Sequence, residues 1–287
     1  MDRFLVRIGK RIFFTWIAII SPNTTMVLSG DIEKFRNTQN APAVVICNHQ
    51  TYFDWLYIWL LAEHVHKGSD LCIIMKEAMK KVPLIGPYFE KAGFLLLARN
   101  WEQDKDNFDR YMFQFEKNSH NNWLIIFPEG TTRHKDTLEV SHQYAKKTGR
   151  PSFEYVLLPR STGFAALVKH LSSSTLGRKT HIYDLTLQFE SYSGDYPKNY
   201  TFGGTVKDLG IPHFYGFSIR RHPIECHCHV SVYSIDDIVS STESETFNQN
   251  IEQWLDNQFS IKEKEMKGFI QNQQFSKEWM TNHVFSI

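Results

Sequence analysis

Cysteine is scarce. The chain has four in 287 residues, Cys47, Cys72, Cys226 and Cys228, too few and too scattered for a disulfide-built scaffold. Cys47 and Cys72 lie inside apolar runs and read as small buried hydrophobes, and the set fits a reducing environment. An excess of one charge is also missing. The formal net charge is +1, which argues against a surface for nucleic acid. No apolar run reaches the roughly 20 residues that cross a bilayer. The uncharged stretch from Ile12 to about Pro22 is too short, and it lacks the small-residue cleavage pattern of a secretory signal. Cys226-His227-Cys228-His229 has the composition of a metal tract. Its continuation alternates with period two through Tyr233, so the Cys and His pairs point to opposite faces of a strand and no metal is expected.

Aromatic residues are abundant at 14%, which suits either a large core or a membrane-interface surface. Near the N-terminus Arg3, Arg7, Lys10 and Arg11 interleave with apolar residues. This predicts a membrane-associated helix over residues 1–28, lying in the interface; the alternative is an amphipathic helix packed on the core. Short apolar runs predict strands at Ala43–Cys47, Asp70–Met75, Phe94–Ala98, Trp123–Phe127, Tyr155–Leu158 and Tyr183–Phe189. Between them, Asp104–Lys117 and Ala165–Leu171 have helical patterning. Alternating strands and helices imply an α/β fold, a central mostly parallel sheet flanked by helices. Residues 29–235 form that domain. Residues 236–287 follow as a linker and a C-terminal helix over 246–274, with Trp254, Leu255 and Phe259 inward. Pro83-Leu84-Ile85-Gly86-Pro87 reads as a loop with exposed apolar residues, a second candidate membrane contact.

The first apolar run ends at Asn48-His49-Gln50-Thr51-Tyr52-Phe53-Asp54. Five positions along one helix would set His49 and Asp54 about 140° apart, so a contact between them requires His49 in the turn before the helix. Asp54 can then fix the tautomer of His49, leaving the other ring nitrogen as a general base; a structural hydrogen-bonded histidine is the alternative. Arg99, Glu129-Gly130 and Pro159 likewise follow the ends of apolar runs, and in open α/β sheets that edge binds ligands. Arg99 can present a planar fork to phosphate. Glu129 can bind substrate or orient the loop, with Gly130 permitting positive φ. Arg133 can add a second charge to a phosphate pocket.

Taken together, Asn48-His49 through Asp54, the apolar run before Arg99, Phe127-Pro128-Glu129-Gly130-Thr131 and Leu158-Pro159 resemble the four sequence blocks of the glycerolipid acyltransferase family. Lys80 through Gly86, Arg99-Asn100-Trp101-Glu102 and Pro159 through Phe164 are similar to its branch of lysocardiolipin, lysophosphatidylinositol and lysophosphatidate acyltransferases. The resemblance implies acyl transfer from acyl-CoA, a co-substrate and no resident cofactor, to a lysophospholipid or lysophosphatidate. His49 and Asp54 would be catalytic; Arg99, Glu129, Gly130, Thr131, Arg133 and Pro159 would bind substrate. It also implies attachment to membrane lipids, in the endoplasmic reticulum or a mitochondrial membrane. In many members an arginine directly follows Glu-Gly-Thr, whereas here Thr132 intervenes before Arg133. Two other readings stay open: a thioesterase, with water as acceptor, and a membrane-bound lipid-binding protein without turnover.

Overall fold

A computed structural model describes residues 6, 8–12, 15, 25–81, 86–118, 122–175, 177–190, 192–195, 225–239, 246–276, 279 and 283–286. The strands are β1 (Thr25–Gly30), β2 (Ala43–Cys47), β3 (Leu71–Lys76), β4 (Leu95–Leu97), β5 (Trp123–Ile126), β6 (His181–Phe189), β7 (Glu225–Ser234) and β8 (His283–Ser286). They form one sheet in the order β4-β3-β5-β2-β6-β7-β1-β8. Five neighbouring pairs are parallel; β6 with β7 and β1 with β8 are antiparallel. The helices are α1 (Ile32–Thr38), α2 (Asp54–His64), α3 (Gly86–Lys91), α4 (Trp101–Asn118), α5 (Lys135–Thr148), α6 (Ser161–Ser172), α7 (Ile235–Ile238) and α8 (Phe247–Asn272).

Successive side chains of a strand point to opposite faces, and both faces of this sheet are covered. Val45, Trp123 and Leu187 pack on one side with Phe35, Leu56 and Leu60 of α1 and α2. Val44, Ile46 and Leu124 pack on the other with Phe108, Phe164, Leu255 and Phe259 of α4, α6 and α8. Every residue of β2 is fully buried, as its unbroken apolar run requires of a central parallel strand.

Four expectations need correction. Thr25–Gly30 is not the end of an N-terminal helix but a strand, parallel to β7. Residues 8–12, earlier in the chain, are helical; Lys10 there is buried and donates from Nζ to Leu71 O at 2.7 Å, while Ile12 is 66% exposed. The last residues are no mere extension either, since β8 pairs with β1; α8 packs in the core with Leu255 and Phe259 inward, as its pattern predicts. Tyr155–Leu158 is not a strand. Its N–H groups go to side chains instead: those of Tyr155 and Val156 to Glu263, that of Leu157 to Glu129, that of Leu158 to Ser141 Oγ. With its donors satisfied this way, the segment needs no ladder. Lastly, the predicted loop Pro83–Pro87 gives way to α3 from Gly86; residues 83–85 and most of the predicted N-terminal helix lie outside the described residues. No helix among the described residues is long and apolar enough to cross a membrane.

Candidate active site

Strand β2 ends at Cys47, and the chain turns through residues 48–53 before α2 begins at Asp54. Asn48 holds the turn to the sheet. Its Nδ2 donates to Leu187 O at 3.0 Å and its Oδ1 accepts Leu187 N–H at 2.8 Å, continuing the β2–β6 ladder by a side chain. Gln50 Nε2 adds bonds to Leu187 O and Gln188 Oε1. The only sequence signal of these two amides is their place on either side of His49.

His49 Nδ1 lies 2.8 Å from Asp54 Oδ2, as the spacing predicted for a histidine in the turn. The same oxygen accepts the Thr51 N–H at 2.9 Å. Burial raises the Asp54 pKa above the ordinary carboxylate value; the His49 hydrogen bond and charge pull it back. The imidazole stacks on Phe127, with centroids 4.1 Å apart and planes at 21°. Its side chain is 16% exposed. Nδ1 is thus held by a carboxylate, and Nε2 has no hydrogen bond among the described residues. That arrangement can take a proton from a substrate hydroxyl and return it to a leaving group.

Glu129 is buried and does not face solvent as a substrate ligand would. Its two oxygens accept the His49 N–H at 2.7 Å and the Leu157 N–H at 2.8 Å. Burial, the largest influence, pushes its pKa up to about 8. The carboxylate therefore ties the β2 turn to the 153–158 segment. Gly130 has φ +71°, the left-handed conformation that favours glycine.

Arg133 is corrected in role. Its Nε donates to Glu154 O at 2.6 Å, Nη1 to Tyr192 Oη at 2.8 Å and Nη2 to Gly194 O at 3.0 Å. Its backbone N–H donates to His49 O at 3.0 Å. A buried arginine so engaged braces the turn that carries His49. Thr131 is half-buried in the same turn, and Pro159 is buried, its carbonyl accepting from Arg150 Nη2 at 2.9 Å. Arg99 follows β4 with its side chain exposed.

Backbone N–H groups at the start of α2 close local turn bonds. Asp54 N donates to Thr51 O, Leu56 N to Phe53 O and Phe53 N to Thr51 Oγ1. The Cys-His strand is resolved as expected: Cys226 and Cys228 are buried in the α1–α2 layer, whereas His227 meets Phe269 edge-on and His229 stacks on Trp279. The unforeseen contribution comes from α8. Met266 Sδ accepts from Asn48 Nδ2 at 3.6 Å, Lys262 reaches Asp184 and Leu185 O of β6, and Glu263 caps the segment beside Glu129.

The class is thus an α/β sheet flanked by helices, with an imidazole hydrogen-bonded to a carboxylate at the C-terminal end of its central strand. A family model described as Acyltransferase matches residues 30–188, and the chain belongs to that family. It is 26% identical over 295 residues to a 2-acyl-1-lysophosphatidylinositol acyltransferase of Saccharomyces cerevisiae, covering 91% of this chain and 70% of that protein. Identity to Lysocardiolipin acyltransferase 1 of Gallus gallus is 29% over 266 residues, 91% of this chain and 63% of that one. A Probable 1-acyl-sn-glycerol-3-phosphate acyltransferase 5 of Arabidopsis thaliana is 27% identical over 255 residues, 89% of this chain and 60% of that one. The chain thus spans well under the full length of each of these relatives.

Proposed function

We propose that this chain transfers an acyl group from acyl-CoA to the free hydroxyl of a lysophospholipid or 1-acylglycerol-3-phosphate. The observation that carries the reading is the 2.8 Å contact between His49 Nδ1 and Asp54, with Nε2 left for the acceptor. His49 takes the hydroxyl proton as the oxygen attacks the thioester carbonyl. The tetrahedral intermediate expels the CoA thiolate, and the imidazolium returns the proton to that sulfur. Asp54 keeps the imidazole in one tautomer and stabilises its charged form. Both substrates bind together, so no protein nucleophile is required. Arg99 holds the phosphate of the acceptor. Glu129, Gly130, Thr131 and Pro159 shape the pocket through the backbone they hold.

A lipid acceptor places the reaction at a membrane surface. Exposed Ile8 and Ile12, one helical turn apart in the N-terminal segment, support attachment there. By resemblance that membrane belongs to the endoplasmic reticulum or mitochondria.

The test is turnover of purified protein with an acyl-CoA and a panel of lysophospholipids. Wild type should release CoA only when acceptor is present. His49→Ala, verified as folded by circular dichroism, should lose at least 100-fold in rate, the lower range for general-base catalysis. Thioester cleavage indifferent to acceptor would make the protein a hydrolase. Lipid binding without turnover would make it a binding protein, and either result ends the transferase reading.

A further inference from the structure

Arg99 and Arg160 stand at the same edge of the sheet and neither guanidinium has a hydrogen-bond or acidic partner among the described residues. Arg99 has φ +69°, an uncommon conformation for a residue with a Cβ. Asp104 holds it there. Its Oδ1 accepts the Ala98 N–H at 2.8 Å and its Oδ2 the Asn100 N–H at 3.1 Å. That carboxylate is therefore spent on backbone, and Arg99 has no acidic partner among the described residues.

Arg160 is aimed by a different route. Its N–H donates to Pro128 O at 2.8 Å, tying the start of α6 to the turn that carries Glu129. Its side chain lies across Gly130: a Cβ at that glycine would come within 3.4 Å of Arg160 Cδ and 3.5 Å of Nε. A Cβ there would make ordinary van der Waals contact with the arginine, so it is the positive φ rather than lack of space that asks for glycine. Through Glu129, which holds the His49 N–H, Arg160 is fixed relative to the imidazole. Protein mass around Arg99 and then the Arg160 charge both lower the Arg99 pKa, so the two cations sense each other. Two like charges at one edge, with no anion supplied by the described residues, match a dianionic or diester phosphate from outside.

We propose that Arg160 is a phosphate-binding residue, working with Arg99 as a two-guanidinium clamp on the acceptor's phosphate beside Gly130. Arg133, walled in by Tyr192, Glu154 and Gly194, has no share in this clamp. The proposal rests on the acyl-transfer reading for the identity of the phosphate, and its test has an arm that does not. In that arm glycerol 3-phosphate is titrated into purified wild type, R99A, R160A and R160K, and binding is followed by calorimetry or NMR. Wild type should bind saturably, and R160A about 10- to 100-fold more weakly, the range for a charge-assisted contact. R160K, keeping the charge without the fork, should fall between. In the kinetic arm R160A should raise KM for lysophosphatidate or lysophosphatidylinositol by a similar factor. Its kcat and its KM for acyl-CoA should stay near wild type, and its preference over monoacylglycerol should collapse.

No saturable glycerol 3-phosphate binding to wild type, or equal binding by R160A, overturns the clamp. So does a rise in KM for acyl-CoA alone, which would assign the arginines to the donor's phosphates. Equal losses on lysophosphatidate and monoacylglycerol would make Arg160 structural and overturn it too. If wild type acylates no lysolipid, the transferase reading fails while the titration still judges the clamp.

Discussion

Replacing Asp54 by asparagine separates the charge of the dyad from its geometry. Asp54 Oδ2 accepts from both His49 Nδ1 at 2.8 Å and Thr51 N at 2.9 Å. An asparagine with its carbonyl oxygen at that corner keeps both bonds and removes only the negative charge. Two unit charges with centres about 4 Å apart interact by roughly 4 kcal/mol at an effective dielectric of 20. If half or more of the positive charge has developed on His49 in the transition state, the loss is about 2–4 kcal/mol, a fall in kcat of roughly 30- to 1000-fold. Stability should move the other way. Burial holds the Asp54 pKa above its ordinary value, so its favourable contribution is complete below that ordinary value and is lost as pH rises through the folded pKa. The neutral amide of D54N has no such loss. The variant should melt no lower than wild type at pH 7, and the two should converge in acid. Steady-state CoA release and urea denaturation at two pH values measure both. A folded D54N with more than half the wild-type kcat would refute the reasoning, as would a variant destabilised by several kcal/mol.

Two further outcomes follow from the buried charges. Glu129, with its pKa pushed up to about 8, takes up a proton on folding between its ordinary range and that value. Its contribution is complete below about pH 4.5 and declines as pH rises toward 8. Wild type should therefore lose stability across that window relative to E129Q, whose own cost, about 1–3 kcal/mol from the N–H group it leaves unsatisfied, should be flat; parallel pH profiles in urea would contradict this. Lys262 Nζ lies 2.5 Å from Asp184 Oδ1 with both side chains buried. K262M alone should cost about 3–5 kcal/mol by stranding the carboxylate, and K262M with D184L should recover most of it; an uncorrected double variant would mean the pair does not act as a unit.

The parts of the fold that were legible in sequence are those whose own pattern suffices. The run Ala43–Cys47 is apolar at every position and became a strand buried on both faces. Trp101–Asn118 and Phe247–Asn272 carry helical periodicity and became helices. Tyr155–Leu158 has the composition of a strand but lies where two distant glutamates and a serine take its N–H groups. Its conformation was settled by partners up to 108 positions away in sequence. β1 and β8 were hidden for a related reason: their partners lie far along the chain, β1 pairing with both β7 and β8.

The same division runs through the site. Local order alone determined that a histidine follows the central strand, that a carboxylate five residues on can reach it, and that a glycine permits the turn after Glu129. These depend on chain stiffness and on the periods of helix and strand, which any short stretch carries within itself. Tertiary structure decided which arginine is free. A guanidinium's role depends on what surrounds it: Arg133 met a tyrosine hydroxyl and two carbonyls and became a brace. Arg160, given no role of its own by the sequence, lies over a glycine with no acidic partner among the described residues. Hydrogen-bond partners are supplied by segments far apart along the chain, and only folding brings them within 3 Å of each other.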